Sequence, residues 1–579
     1  MKELLLGNEA IARGAWEAGC RIVSSYPGTP STEVTENCAR YPEMYTEWAT
    51  NEKVSAEVAV GASLGGARAL CCMKHVGLNV AADPLYTAAY TGVNGGLVLN
   101  VADDPGMHSS QNEQDSRFHA RAALVPMLEP SDSQECLDFT KAAFALSEQF
   151  DAPFLIRTTT RIAHARNLVE ISEREDVPVR EYKKDPMKNV MMPGMARLRH
   201  VVVEQRMKDI EEFANTSILN SVAFRDLSIG IITSGVAYQY VREAMPEASV
   251  LKLGIVNPIP KKLIQAFADK VERLVIIEEL EPVIEEQVKA MGIRCEGKNL
   301  TGHQGELSVN KIRAMFNEAV PAHIESPMNA PQRPPIMCAG CPHRGPYSIL
   351  KKLNMHVMGD IGCYTLGALA PLSALDSSLC MGASVGLAQG ITHARGEEFG
   401  KKTVAVIGDS TFLHSGVTSL ISAAYNKSPI TLMILDNRIT GMTGHQSNPA
   451  SGTDIHGNEA KVLDLEALCR ACGVERVTVV DAFDLEGLEK AIKEETKADE
   501  PSVIIARRAC ALLGKRRTHE TYTILPAACK SCMACMKMGC PAIEKTEDGL
   551  RINPAQCVGC GLCAQTCKFN AIKKVGDRP

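Results

Sequence analysis

Short runs of apolar, mostly β-branched residues punctuate the chain, each closed by glycine or a small polar group. Thr403 to Ile407 is one such run and Ile430 to Leu435 another. Apolar runs of this length, without alternation, predict strands buried on both faces, as in a parallel sheet. Between them Gly416 to Tyr425 reads as a helix, so residues 401–446 predict a strand–helix–strand unit. The segments SIGIITSG, VLKLGIV and RLVIIEEL predict three more buried strands alternating with helices. Earlier, APFLIRTTT reads as a strand, and TNEKVSAEVAVGASLGGARA (50–69) contains a helix of small residues. The pattern is α/β and multidomain.

Breaks in the pattern suggest boundaries. Residues 1–165 form a first domain and 226–320 another, with a charged linker at 166–225 (EISEREDVPVREYKKD) that carries a helical stretch around Val203 to Ala214. The proline-rich NAPQRPPI marks a second linker within 321–336. Residues 337–515 form a third domain, and 520–579 a small cysteine-rich one. A chain of 579 residues is too long for a single core, so several domains are expected in any case. The net charge of −6 gives no reason to expect binding to nucleic acid or an anionic membrane. The N-terminus lacks the features of a signal peptide, and no apolar run approaches the roughly 18 residues of a span. A cytoplasmic location is expected.

Eight of the 21 cysteines lie in the last 51 residues, in CKSCMACMKMGCP (529–541) and CVGCGLCAQTCK (557–568). Three thiolates spaced Cys-x-x-Cys-x-x-Cys wrap a compact iron–sulfur cluster, whereas a zinc site is complete with two Cys-x-x-Cys pairs. In two-cluster ferredoxins the fourth cysteine of each run ligates the other cluster. That rule assigns Cys529, Cys532, Cys535 and Cys567 to one [4Fe-4S] cluster, and Cys540, Cys557, Cys560 and Cys563 to a second. Two departures are visible: four residues separate Cys535 from Cys540, and Lys568 stands where proline is usual.

The two strands at 403–407 and 430–435 end in Gly408-Asp409-Ser410 and Asp436-Asn437. Oxygen ligands at the carboxyl ends of neighbouring strands, here 28 positions apart, suit an octahedral Mg²⁺ shared with phosphate oxygens. This pair resembles the diphosphate motif of thiamine-diphosphate enzymes, which implies thiamine diphosphate and Mg²⁺ held by Asp409, Asn437 and the carbonyl of Ile439. The same resemblance implies a glutamate for the cofactor's aminopyrimidine. Glu52, nine positions before Gly61, fits; Glu57 is the alternative, and a first-turn acid on a helix dipole is the plain reading of either.

VSSYPGTPSTEV (23–34), PPIMCAGCPHRGPYSIL (334–350) and GDIGCYTLGALAPL (359–372) resemble the family of 2-oxoacid:ferredoxin oxidoreductases over nearly the whole chain. The fused tail with its four-residue gap is similar to α subunits of the indolepyruvate-oxidising branch. The resemblance implies that 1–165 is a pyrimidine-binding domain and 226–320 a transketolase C-terminal-like α/β domain. Residues 337–515 would be the diphosphate-binding domain and 520–579 an α+β ferredoxin module, the two thiamine domains being doubly wound. It implies oxidative decarboxylation of arylpyruvates with coenzyme A, a smaller β subunit in an α2β2 assembly, and an external ferredoxin. Thr29 would lie at the substrate carboxylate; Arg117 or Arg121 is a candidate second contact, and a plain surface charge is the alternative reading of either. His343 and Arg344 are placed to approach the diphosphate, with a stray basic pair in a helix N-terminal loop as the equal alternative, and His445 is a candidate to line the site. The polar stretch from Asp104 to His119 reads as an active-site loop. Cys338 and Cys341, with Cys363 and Cys510, are candidate ligands of a third cluster; packing as small hydrophobes is the alternative. Cys469 and Cys472 sit at a helix end before Gly473 and are expected to be core.

Overall fold

The computed structural model describes residues 1–322, 331, 334–513 and 520–575, so the linker expected at 321–336 lies largely outside the described residues. The chain forms two compact units divided at residue 326. Among the described residues no helix is long and apolar enough to cross a membrane.

The first unit is built on a seven-stranded sheet. Its strands run Met127–Leu128, Phe154–Thr159, Leu97–Asp103, Ala69–Lys74, Ile22–Ser25 and Tyr45–Trp48, all parallel. The seventh, Ile255–Asn257, pairs antiparallel with Met127–Leu128 and comes from the region expected as a separate domain. A second sheet carries Arg273–Ile277, Asp226–Ser234 and Ala248–Leu253 in parallel, as the three apolar runs predict. Leu251, Leu253, Ile264, Phe267 and Ile276 from this part share one buried core with Met73, Leu78, Leu99 and Leu155 from the first sheet. Residues 1–165 and 226–320 therefore fold as one body, because the apolar faces of both sheets are buried together.

Residues 166–225 are not a bare linker. Arg166–Glu170 is a strand paired antiparallel with Lys2–Leu6, and Pro193–Ala214 is a helix of 22 residues. The charged stretch between them is a strap whose cations are tied to the body: Arg174 donates to the carbonyls of Trp16 and Cys20, and Arg180 to that of Asn94 and to Glu148. The helices Gly7–Glu17 and Ser133–Phe150 cross closely at Gly14, where a Cβ would stand 2.6 Å from the Leu137 carbonyl oxygen.

The second unit holds a six-stranded parallel sheet, in the order Ser377–Ser378, His356–Gly359, Thr403–Gly408, Thr431–Asp436, Ser502–Arg507, Arg476–Asp481. The tail holds two antiparallel strand pairs, Tyr522–Ile524 with Ile572–Lys574 and the hairpin Ile543–Thr546 with Gly549–Ile552, around a small core of Ile524, Ile543, Ile552 and Ile572. It is fastened to the larger domain: Met538 and Leu562 share a core with Leu350, Leu485 and Leu488, and Gln565 donates to the Phe483 carbonyl.

Candidate active site

In the second unit, Thr403–Gly408 and Thr431–Asp436 are sheet neighbours, with Gly408 paired against Leu435. This register puts Asp409 and Asn437 at adjacent carboxyl ends. Gly408 has to be glycine because the ring of buried Tyr364 lies against it; a Cβ would come within 2.6 Å of Cε1. Asp409 is buried. Its Oδ1 accepts from the Ser410 amide at 2.9 Å, and its Oδ2 has no hydrogen-bond partner. Burial and the adjacent Asp436 push its carboxyl up to about 7. A buried carboxylate oxygen left without a donor beside a second acid is costly on its own and fits a cation. The donor set therefore suits the diphosphate-bound Mg²⁺ that the motif implies.

Asn437 is held in place on both sides. Its Oδ1 accepts from the Ile439 amide at 3.2 Å, and its Nδ2 lies 3.4 Å from His343 Nε2. Burial drives His343 down to about 4, so the ring is neutral and accepts from the amide. The residue between, Arg438, adopts φ 63°, turning the chain sharply between Asn437 and Ile439. Thr440 donates to Ser410 Oγ at 2.8 Å, tying the two strand-end loops together. His445 takes φ 70° further along the loop.

In the first unit the strand ends also converge. Glu52 opens the helix Glu52–Leu64, whose N-cap Asn51 accepts from the Val54 amide at 2.9 Å. Glu52 is buried and packs over Gly77; a Cβ there would meet Oε1 at 2.5 Å. Glu57, the alternative, is exposed and paired with Lys53 on the surface. Half-buried Thr29 follows Gly28, whose missing Cβ leaves room for Lys74, 3.1 Å from that position. Lys74 is the last residue of the strand Ala69–Lys74, and a cation closing an apolar run is the sequence signal that marks it. It is buried, donates to the Ser109 carbonyl at 2.6 Å, and is pushed down to about 8 by burial. The segment after Asp104 is a loop, anchored where Asp104 accepts from Ser109 and Ser110.

Arg117 does not fit the expected contact with a substrate carboxylate. It is fully buried and donates to Asp115, to Glu278 at 2.6 Å and to the carbonyls of Glu279 and Glu281. Arg157 joins the same lattice through Asp103 and Glu129. A guanidinium taken out of water needs such partners, and these leave Arg117 a structural role.

Twelve of the fifteen cysteines of the second unit form three groups. A cavity in the tail is lined by Cys529, Cys532, Cys535 and Cys567, with Ile524, Leu550 and Phe569 around them. Cys563 lies among Cys540, Cys557 and Cys560, and burial with these neighbours pushes its thiol up to about 12. Cys567 therefore lies with the first run, and Cys540 with the second. The long gap before Cys540 is taken up by a 3-10 turn, Cys535–Met538, closed by Gly539 at φ 65°. The third group is Cys338, Cys341, Cys363 and Cys510, in which Cys338 and Cys363 lie near both of the other two thiols. It adjoins the Asp409 and Asn437 strand ends, because the Cys510 amide donates to the Asn437 carbonyl at 3.0 Å. Among the described residues no three His, Cys, Asp or Glu side chains close on a point as a single-ion site would. Cys469 is buried in the core, as its helix-end position predicts.

Comparison with known proteins agrees with this layout. Residues 13–217 match the family described as pyruvate flavodoxin/ferredoxin oxidoreductase, thiamine diP-bdg. Residues 360–506 match the thiamine pyrophosphate enzyme, C-terminal TPP binding domain, and 550–573 the 4Fe-4S binding domain. Indolepyruvate oxidoreductase subunit IorA of Archaeoglobus fulgidus is 40% identical, covering 99% of this chain and 97% of the relative. The subunit of the same name from Pyrococcus horikoshii is 40% identical over 100% and 97%. The 2-oxoglutarate synthase subunit KorA of Methanothermobacter thermautotrophicus is 30% identical, over only 29% of this chain and 47% of the relative.

Proposed function

The chain belongs to the family of indolepyruvate oxidoreductase IorA subunits, and from that premise we propose that it oxidatively decarboxylates arylpyruvates with coenzyme A, giving an aryl-acetyl-CoA, CO₂ and two reduced ferredoxins. Thiamine diphosphate, when bound, would supply a carbon nucleophile that adds to the keto carbonyl and an electron sink for the bonding pair left behind as CO₂ departs. The rest is the work of this chain's side chains. Asp409, Asn437 and the Ile439 carbonyl hold Mg²⁺ at the diphosphate, with His343 keeping the Asn437 amide in place. Glu52 holds and returns a proton at the cofactor's aminopyrimidine nitrogen. Thr29 and Lys74 receive the substrate carboxylate.

The electron pair leaves one electron at a time, so it needs one-electron carriers close by. The observation that carries the reading is the order of groups in the second unit. The Asn437 carbonyl is bonded to the Cys510 amide, the Cys338 group follows, and the tail groups lie beyond it. The third group holds a cluster in this reading, making three. A cytoplasmic α2β2 assembly with a smaller β subunit completes the enzyme, and a soluble ferredoxin takes the electrons.

The test is anaerobic viologen reduction by the chain co-purified with its β partner, dependent on coenzyme A. Indolepyruvate, phenylpyruvate, pyruvate and 2-oxoglutarate are compared by kcat/KM. The aryl substrates are expected to lead. A lead for pyruvate or 2-oxoglutarate overturns the substrate assignment, and coenzyme A-independent turnover by colourless protein overturns the redox chemistry.

A further inference from the structure

Arg344 opens the helix Arg344–Lys352 and is 2% exposed. Although it follows His343, it does not turn toward Asn437. Its Nε donates to the Cys338 carbonyl at 3.1 Å, its Nη1 to the Met538 carbonyl at 2.9 Å, and its Nη2 to the Met337 carbonyl. One fork of the guanidinium thus grips the inner cysteine loop and the other grips the tail just ahead of Cys540. Gly539 makes the close approach possible, since a Cβ there would stand 3.1 Å from Nη1. The two loops also meet directly. A Cβ on Gly340, between Cys338 and Cys341, would come within 2.3 Å of Val558, which lies between Cys557 and Cys560.

The charge on Arg344 is as informative as its bonds. The buried arginines Arg117 and Arg157 are answered by carboxylates. Arg344 is answered by three carbonyl dipoles and by the sulfurs of Cys540, Cys341, Cys338 and Cys560, drawn from two different cysteine groups. A guanidinium stays protonated at any physiological pH. Fixed between two groups that each gain negative charge on reduction, it stabilises the reduced state of both, and in a low-dielectric interior that attraction is strong.

On the reading that both groups hold clusters, we infer that Arg344 is a positioning residue for electron transfer. It clamps the inner cysteine loop to the tail and biases the adjoining clusters toward their reduced form. The test is an EPR-monitored redox titration of the α–β complex, with iron and acid-labile sulfide measured on the same samples. Arg344→Gln is expected to keep its iron. It should shift the midpoint of an adjoining cluster to lower potential by about tenfold in the reduction equilibrium, roughly 59 mV for a one-electron couple. Arg344→Lys, which keeps the charge without the planar fork, should restore most of that midpoint while passing electrons to viologen more slowly than the parent.

Unchanged midpoints in Arg344→Gln with full iron overturn the proposal. So does equal loss of iron from both variants, which would make the residue a folding element only. If the parent enzyme lacks an inner cluster, its iron content shows that directly. A lowered midpoint for the cluster of Cys540 and Cys560 then still upholds the role of Arg344, and an unchanged one overturns it.

Discussion

Glu52 and Glu57 lie on the same helix, and their surroundings separate them. Glu52 is buried over Gly77, and Glu57 is exposed and paired with Lys53. Glu52→Gln is expected to lower kcat by roughly 10²- to 10⁴-fold, the usual contribution of a positioned acid–base group. Iron content and Tm should stay put, and Glu57→Gln should be close to silent. Asp409 gives a pH test. Its carboxyl is raised from 3.8 to about 7, so in the metal-free protein it keeps its proton below about pH 7. Mg²⁺ must displace that proton, and its affinity should fall by about tenfold per unit as the pH drops below 7. The sign for stability is opposite. A raised folded-state pKa gives stability that is complete below pH 3.8 and is lost as the pH rises through 7. Metal-free Asp409→Asn should therefore melt above the metal-free parent at pH 8, while failing to bind Mg²⁺ in calorimetry. The residue types at this site were legible because strand ends followed by Gly-Asp and Asp-Asn are local signals. Arg117 was not, because its partner Glu278 is 161 positions away and nothing in the local sequence distinguishes a buried cation from an exposed one.

The same division between local and distant signals holds for elements. Strands at 403–407 and 430–435 and those of 226–320 were readable because both of their faces are buried and their apolar runs are unbroken. The helix Pro193–Ala214 was readable only in part. Its buried residues are Val203, Arg206, Ile210 and Ala214, a single narrow stripe that includes a charge. Arg206 belongs there because its Nη1 donates to the Ala89 carbonyl at 2.6 Å, a partner in another helix. With so little apolar surface, the stretch reads as a linker until that partner is known. The stripe makes the helix part of the fold, and Ile210→Ala should cost about 2–5 kcal/mol, read as a lowered midpoint in denaturant with unchanged slope. If residues 193–214 were a free linker, the substitution would change nothing.

At the scale of the molecule, sequence pattern separates more bodies than the structure does. Turn signals and charge mark 165 and 226 as boundaries, yet Phe267 and Leu253 are buried in one core with Leu99 and Met73. A shared core of this kind leaves no trace in either segment alone, because each shows only that it has an apolar face. The tail is the reverse case: eight cysteines within 51 residues mark a cysteine-rich module in the sequence itself. The inner group, dispersed over Cys338, Cys341, Cys363 and Cys510, needed the fold to bring it together. Cys510→Ala should remove about one third of the iron and acid-labile sulfide if all three groups are filled. Unchanged iron would restrict clusters to the tail.

The attachment of the tail through Gly340 and Val558, Arg344 and Met538, and Gln565 and Phe483 has a kinetic consequence. A carrier bolted to its donor does not have to be met by diffusion. Electron arrival at the tail is a first-order event, and its rate in a single turnover should stay the same when the enzyme is diluted tenfold. Concentration and ionic strength enter only at the last step, where a soluble acceptor has to collide with the protein.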